Sequence, residues 1–348
     1  MIEICLRYRI DVLFPTNDVE ARHIARHSDQ FEQFGVTVVV PQVDRLERAQ
    51  DKYQVAVAAQ RIGFPCPRTF LYESHIQAAD AAQQLGFPLV VKATDSRGSI
   101  GVRFVQSPRD LSAHIDDLLL TKHRLILQEY IPGGRERSLN FVIDQQGQVL
   151  HAFALRKMHY LRPSLSTAVE VVHPPPEMEA AVELLRALRL WGVCVLQTKI
   201  DERDGRYKLI ELNARFGNNA RILFRFGADL PLALIAVARN ESPTLCPFRP
   251  GTIGVSPFED VIAALVFVYR RLKLDIGRHQ KDCPALLPGW LEMTHSYLWV
   301  YRHAVVDDYT KGIAKDPFGT FSYYGRTLRN SFRFQKHWEY FMPWQDIR

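Results

Sequence analysis

Cysteine is scarce in these 348 residues. There are five thiols, Cys5, Cys66, Cys194, Cys246 and Cys283, and no CxxC pair. That excludes a disulfide framework and a cysteine-built zinc site, and it favours a reducing, cytoplasmic compartment. Long apolar runs are missing too: the longest, VIAALVFVY at 261–269, is about half a membrane span. Arg7, Arg9 and Asp11 interrupt the opening apolar residues, so the uninterrupted apolar segment of a secretory leader is not there. Neither GxxxxGK[ST] nor GxGxxG occurs, which removes the Walker loop and the Rossmann fingerprint. No Ser-His-Asp arrangement, internal repeat, low-complexity tract or RNA-binding signature is legible. What remains is an ordinary globular composition, 47% hydrophobic and 24% charged, long enough for two or three domains. A net charge of +6 permits an anionic ligand without choosing one.

Hydrophobic periodicity divides the chain. The spacing predicts a helix-like start at 2–10, strands at 11–15 and 36–40, one capped helix over 17–35 with Val19, Ile24, Phe31 and Phe34 on its inner side, and a second over 45–63. These are parts of a βαβ layer, and two strands are few for one. From 69 to 131 the order is strand, helix, strand, loop, strand, helix, strand. Three more strands follow at 137–144, 148–158 and 166–173, then a helix, a hairpin across 193–213 and helical sequence to 240.

Three stretches carry chemistry. In KLIELNAR, 208–215, Glu211, Asn213 and Arg215 recur at every second position among apolar residues, so one face of a strand holds a carboxylate, an amide and a guanidinium. The preceding turn closes in two ways. A two-residue Asp204-Gly205 loop sets Gln197 opposite Leu212, and a three-residue loop with Gly205 left-handed sets it opposite Glu211. The second unites Gln197, Glu211 and Asn213, an oxygen set suited to Mg²⁺ shared with phosphates. In FPLVVKATDSRGSIGV, Lys92 ends an apolar strand ahead of a glycine loop, a pairing that suits phosphate and is more often just a turn. In LILQEYIPGGRERSLNFV, a strand breaks after Glu129-Tyr130-Ile131 and exposes backbone groups fit for an adenine edge, with Glu136 one strand on.

The order of these pieces, from Lys52 to Glu211-x-Asn213-x-Arg215 with Gln197 fourteen residues earlier, resembles the ATP-grasp superfamily. The likeness is to its carbamoyl-phosphate synthetase large-subunit and biotin carboxylase type, and it runs from about residue 11 to 240. The resemblance implies an α+β ATP-grasp fold, two lobes clasping ATP, with a truncated Rossmann-like α/β layer before it and a mainly helical region after it. Its divisions fall at 1–46 for that layer, 47–65 for a linker helix, 66–128 for the small lobe, 129–240 for the large lobe and 241–348 for a basic, aromatic accessory region. It also implies roles. Lys52 and Lys92 bind phosphate, residues 95–101 with Ser99 form the lid loop, Glu129, Tyr130 and Ile131 hold adenine, and Glu136 meets the ribose. Gln197, Glu211 and Asn213 hold two Mg²⁺ ions, with Mn²⁺ as a substitute, and Arg215 steadies the transferring phosphoryl group beside Asn213 and Lys92.

Such enzymes mostly activate a carboxylate as an acylphosphate that an amine then attacks. The expectation is therefore a cytoplasmic carboxylate–amine ligase using ATP and small-molecule substrates, with a homodimer as a further expectation. Arg156 or Lys157 would clamp a substrate carboxylate, though a surface cation is the blander role for at least one of them. The alternative is an ATP-binding protein without turnover, tethered to a membrane or partner by its tail. That tail interleaves Arg326, Arg329, Arg333 and Lys336 with aromatics. Packing on the core is its favoured reading, because aromatics dominate ordinary packing. A peripheral membrane contact comes next, and nucleic acid is not expected. RFGNN after Arg215 departs from the glycine-rich stretch of relatives and points to an unusual acceptor pocket.

Overall fold

Three sheets, each from a separate stretch of chain, set the architecture. The computed structural model describes residues 1–95, 101–121, 124–162, 165–243, 248–277 and 286–306. First comes a layer of α1 (Ile2–Tyr8), β1 (Val12–Leu13), α2 (Asp18–Arg26), α3 (Ser28–Gln33), β2 (Thr37–Val38), α4 (Val43–Gln50) and α5 (Lys52–Arg61). The two strands pair in parallel, Val12 opposite Thr37.

Two long helices expected in this layer are each broken. The 17–35 helix divides at His27, which leaves the helical conformation with φ −120° and ψ 20°. Ile24 and Phe31 are buried as expected, while Phe34 beyond the break is 52% exposed and Val19, in the first half, is 63% exposed. The 45–63 helix divides at Asp51, whose carboxylate accepts from the Tyr53 and Gln54 N–H groups at 2.9 and 3.0 Å. An aspartate that can cap a new helix competes with continuing the old one. Lys52 thereby becomes the first residue of α5.

The small lobe holds β3 (Thr69–Leu71), α6 (His75–Leu85), β4 (Leu89–Ala93), β5 (Val102–Val105), α7 (Pro108–Leu119) and β6 (Leu125–Glu129). Its antiparallel sheet runs β3-β6-β4-β5. Ala78, Ala81, Ala82 and Leu85 of α6, and Leu111, Ile115 and Leu118 of α7, recur every three or four residues. They pack on Leu89, Val91, Ala93, Leu125 and Leu127, the alternate positions of β4 and β6.

The large lobe follows with β7 (Glu136–Ile143), β8 (Val149–Arg162), β9 (Leu165–Val172), α8 (Glu177–Ala187), β10 (Gly192–Ile200), β11 (Tyr207–Asn213), α9 (Ala220–Arg225) and α10 (Leu230–Ala238). One core joins this lobe to the first layer, so that Ile24, Phe31 and Leu46 belong with Leu139, Phe141 and Leu185. Past residue 240 the chain returns to the same sheet. β12 (Ile253–Val255) pairs with β9, and β13 (Ala304–Val306) pairs with β12, giving the order β11-β10-β7-β8-β9-β12-β13. Between those strands α11 (Pro257–Gly277) packs on β8 and β9, and α12 (Leu286–His303) on β12. Among the described residues no helix is long and apolar enough to cross a membrane. The cationic and aromatic run with Arg326, Arg329, Arg333 and Lys336 lies outside them.

A Ser-His-Asp set exists that residue spacing could not reveal, because its members are 101 and 137 residues apart along the chain. His159 Nδ1 donates to Asp260 at 3.0 Å, Ser296 Oγ lies 2.7 Å from His159 Nε2, and Thr167 donates to Asp260 at 2.5 Å. All four side chains are sealed from solvent. A closed network of this kind is a rivet between β8, β9 and the two C-terminal helices, since each buried polar group has a partner.

Gly254 shows how tightly β12 is covered. A Cβ there would run into Ile222 and come within 2.7 Å of the Phe226 ring. Gly254→Ala is therefore expected to lower the unfolding free energy by about 1–3 kcal/mol, read as an earlier urea midpoint. An unchanged midpoint would show that α9 is free to shift away.

Candidate functional site

The β10–β11 hairpin builds the centre of the site, by a route that differs from both expected turns. Asp201 and Arg206 close a four-residue loop, with Asp201 N–H to Arg206 O at 2.8 Å and Gly205 N–H to Asp201 O at 2.7 Å. The register then pairs Lys199 with Lys208 and Thr198 with Leu209, but Gln197 with Glu211. Ile210 is the extra residue of a β-bulge. Lys208 and Glu211 are three apart and would face opposite ways in a regular strand. The bulge brings Lys208, Glu211 and Asn213 to one face, while Tyr207, Leu209 and Leu212 stay buried. Gln197 does face Glu211, but because of a bulge rather than a three-residue turn.

Lys52 arrives from another direction. Its backbone N–H donates to Thr94 O at 2.9 Å, which fastens the start of α5 to the end of β4. The Asp51 carboxylate that caps α5 also takes Arg124 at 2.8 Å, and Arg124 immediately precedes β6. So held, Lys52 Nζ stands 3.5 Å from Glu211 Oε1. Lys92, two residues before Thr94, is buried beside them. Burial pushes its ammonium down from 10.5 to about 7, the Lys52 charge adds to that, and Glu211 opposes it. A lysine held this way gains its full charge when an anion arrives.

Lys52 and Glu211 meet at a cleft whose walls also include Asp18, Asp95, Gln128 and Asn213. Asn213 Oδ1 accepts from Arg215 Nη2 at 2.9 Å, and Arg215 Nη1 donates to Phe216 O at 2.9 Å. Gln197 Oε1 is buried without a hydrogen-bond partner. An orphaned amide oxygen opposite a carboxylate, with a second amide oxygen two residues on, is a hard-cation donor set. These residues fit Mg²⁺, although no His, Cys, Asp and Glu cluster of metal-binding size occurs among the described residues.

The residues expected to hold adenine, Glu129, Tyr130 and Ile131, lie around the end of β6. The Glu129 carboxylate is engaged structurally, accepting from Arg203 Nη2 at 2.6 Å and from the Arg68 N–H at 3.1 Å. Arg203 and Lys208 both hold Asp201 as well, and hydrogen bonding to them keeps the Asp201 carboxyl far below its usual range. Glu129 thus ties the end of β6 to the hairpin loop through its side chain, and its N–H donates to Arg68 O at 2.9 Å. Tyr130 packs against Phe104, Ile131 is buried, and Lys199 Nζ lies 5.4 Å from the Tyr130 ring centre. Glu136 pairs with Lys157 Nζ at 2.6 Å. Lys157 is buried rather than a surface cation, and Arg156 pairs with Glu170 through Nε at 2.7 Å. Ser99 and the loop centre at 96–100 lie outside the described residues.

Sequence reasoning passed over Lys199, Lys208 and Asp18. Lys199 was findable, because it sits two places after Gln197 on the same strand face. Lys208 needed the bulge, and Asp18 needed the packing of α2 on α4 and of α4 on β11 that brings it to Arg215.

Comparison with known proteins identifies the family and the fold. Residues 51–241 match the family model described as "Carbamoyl-phosphate synthase L chain, ATP binding domain". The arginine-specific carbamoyl phosphate synthase large chain of Neurospora crassa mitochondria is 24% identical over 72% of this chain and 23% of its own. The carbamoyl phosphate synthase large chain of Methanothrix thermoacetophila is 24% identical over 70% of this chain and 24% of its own. The chain therefore spans about a quarter of the length of these relatives. Among solved structures, the 2-oxoglutarate carboxylase biotin carboxylase domain dimer of Hydrogenobacter thermophilus, in complex with MgADP, ADP and bicarbonate, has a TM-score of 0.62 at 18% identity. That match covers 72% of this chain and 59% of the other. N5-carboxyaminoimidazole ribonucleotide synthetase of Thermotoga maritima has a TM-score of 0.52 at 17% identity, covering 70% and 62%. The fold is the mixed helix and sheet ATP-grasp fold.

Lys92 offers a direct test of the electrostatics. Its native-state proton affinity is depressed, so between about pH 7 and 10.5 the folded protein binds fewer protons than the unfolded chain. Its burial penalty is complete below pH 7 and vanishes as pH rises to 10.5. The ligand-free Lys92→Met protein is expected to be more stable than the wild type by several kcal/mol at pH 7, with the gap closing at higher pH. Denaturant melts across that range check it, and a gap independent of pH would refute the assignment.

Proposed function

The chain belongs to the carbamoyl-phosphate synthase large-chain ATP-binding family, and on that premise we propose that it is an ATP- and Mg²⁺-dependent ligase. It activates a small carboxylate as an acylphosphate for attack by an amine. The observation that carries this reading is the set Gln197, Glu211 and Asn213 facing Lys52 across the cleft, with Lys92 buried beside them. A protein that only sensed a nucleotide would have little use for a metal platform beside two lysines and an arginine.

Each residue has a part under this proposal. Lys52 and Lys92 take the phosphates, and their charges offset the triphosphate in a site of low dielectric. Gln197, Glu211 and Asn213 hold Mg²⁺, which supplies charge neutralisation between phosphate oxygens. The MgADP of the Hydrogenobacter thermophilus structure supports that expectation. The backbone of Glu129, Tyr130 and Ile131 receives adenine, and Glu136, oriented by Lys157, meets the ribose. Arg215 steadies the phosphoryl group in transfer, a reaction that needs positioning more than covalent help. Arg156, already balanced by Glu170, is the candidate for orienting the acceptor carboxylate.

Two variants separate binding from turnover. Glu211→Ala is expected to abolish Mg²⁺-dependent ATP binding measured by calorimetry. Arg215→Ala is expected to keep ATP affinity within about threefold and to lose turnover by 10²-fold or more, the scale of one electrostatic donor. Turnover is read as ADP and phosphate release with pools of amino acids and small carboxylates. Retained Mg²⁺-dependent binding in Glu211→Ala would sink the metal assignment. Tight ATP binding with no release in any pool would favour a nucleotide-binding protein without ligase turnover.

A further inference from the structure

Asp18 stands outside the matched span of 51–241, in the first layer, yet its side chain reaches the cleft. It begins α2, where Asn17 caps the helix through the Val19 and Glu20 N–H groups at 3.0 Å. Gln50 donates to its backbone oxygen at 3.4 Å. Its side chain is 9% exposed, and Oδ1 lies 3.0 Å from Arg215 Nε as an ion pair set off the hydrogen-bond axis. With Asn213 on Nη2 and Phe216 O on Nη1, every nitrogen of the Arg215 guanidinium is accounted for.

From this we propose that Asp18 is a positioning residue: it fixes the Arg215 guanidinium beside the cleft wall that Asp18 and Asn213 form, so that the first layer completes a phosphoryl-transfer site otherwise built by the two lobes. The inference rests on the role given to Arg215 above. A guanidinium on a flexible stem has little directional value until its nitrogens are held, and Asn213 and Phe216 both lie on Arg215's own segment. Asp18 is the contact that comes from a different element. It also adds a negative charge to the cleft wall, where Asp18, Asp95 and Glu211 stand with Lys52, while Lys92 and Arg215 lie behind the wall.

Plain electrostatics and positioning predict opposite signs, which makes the test sharp. Removing a carboxylate beside an anion site strengthens anion binding if only charge matters. Removing a group that holds the anion's partner in place weakens it. The probe is inorganic phosphate, titrated by calorimetry into the full-length protein preloaded with MgADP, and activity is not required. Asp18→Asn is expected to weaken phosphate binding about tenfold without changing MgADP affinity, and Asp18→Glu to recover part of the loss. In an Arg215→Ala background, Asp18→Asn is expected to have no further effect, the mark of two residues acting as one. Should Asp18→Asn fail to fold, Asp18→Glu and its pairing with Arg215→Ala carry the same cycle. Phosphate binding unchanged or tightened in Asp18→Asn overturns the inference alone, provided Arg215→Ala still weakens it. Wild-type phosphate affinity in Arg215→Ala overturns the Arg215 role, and this inference with it.

Discussion

One extra residue in one strand governs the site. Without the Ile210 bulge, the loop closed by Asp201 and Arg206 would carry its register through and set Gln197 opposite Ile210. Glu211 would then share a face with Leu209 and Tyr207, and burying those would bury an uncompensated carboxylate. The bulge lets both ends of the hairpin be satisfied. The loop end keeps Lys208 on Asp201, and the cleft end keeps Glu211 near Lys52. Local strand geometry thus separates a structural ion network from a functional one on the same strand.

Those two networks treat charge differently. Around Asp201 the charges are matched with Arg203, Lys208 and Glu129, and the result is a rigid joint between β6 and the hairpin. In the cleft, balance is less complete: Lys92 is buried with its charge disfavoured, and Gln197 keeps an oxygen unanswered. Groups left in that condition cost stability and persist where a ligand compensates them. The difference argues that the cleft is where binding happens, even though the Asp201 network has the shorter contacts.

The lobes are not the whole machine. The first layer shares the large lobe's core and contributes Asp18, and β12 and β13 extend the same sheet while α11 and α12 are riveted to it through His159, Asp260 and Ser296. A burial network that looks like a hydrolase triad here has no opening to solvent. Three side chains in the right order are a structural device unless a substrate can reach them.

Much was determined by the sequence alone. Apolar periodicity located the strands and helices of both lobes, because each buries one face and the pattern of burial is written residue by residue. The alternation of Glu211, Asn213 and Arg215, with Gln197 upstream, marked the platform and its resemblance to ATP-grasp enzymes. Tertiary structure decided what depends on distant partners. The breaks at His27 and Asp51 were lost inside continuous helical patterns; at Asp51, capping competes with helix propagation only once Lys52 has Thr94 to bond and Asp51 has Arg124. The bulge at Ile210 follows from burial on one face and ion pairing on the other, and neither is visible along the chain. Asp18 reaches Arg215, and His159 reaches Ser296, only because separate elements pack together. Spacing in sequence records what one element needs from its own neighbours; it carries no term for a contact made across the fold.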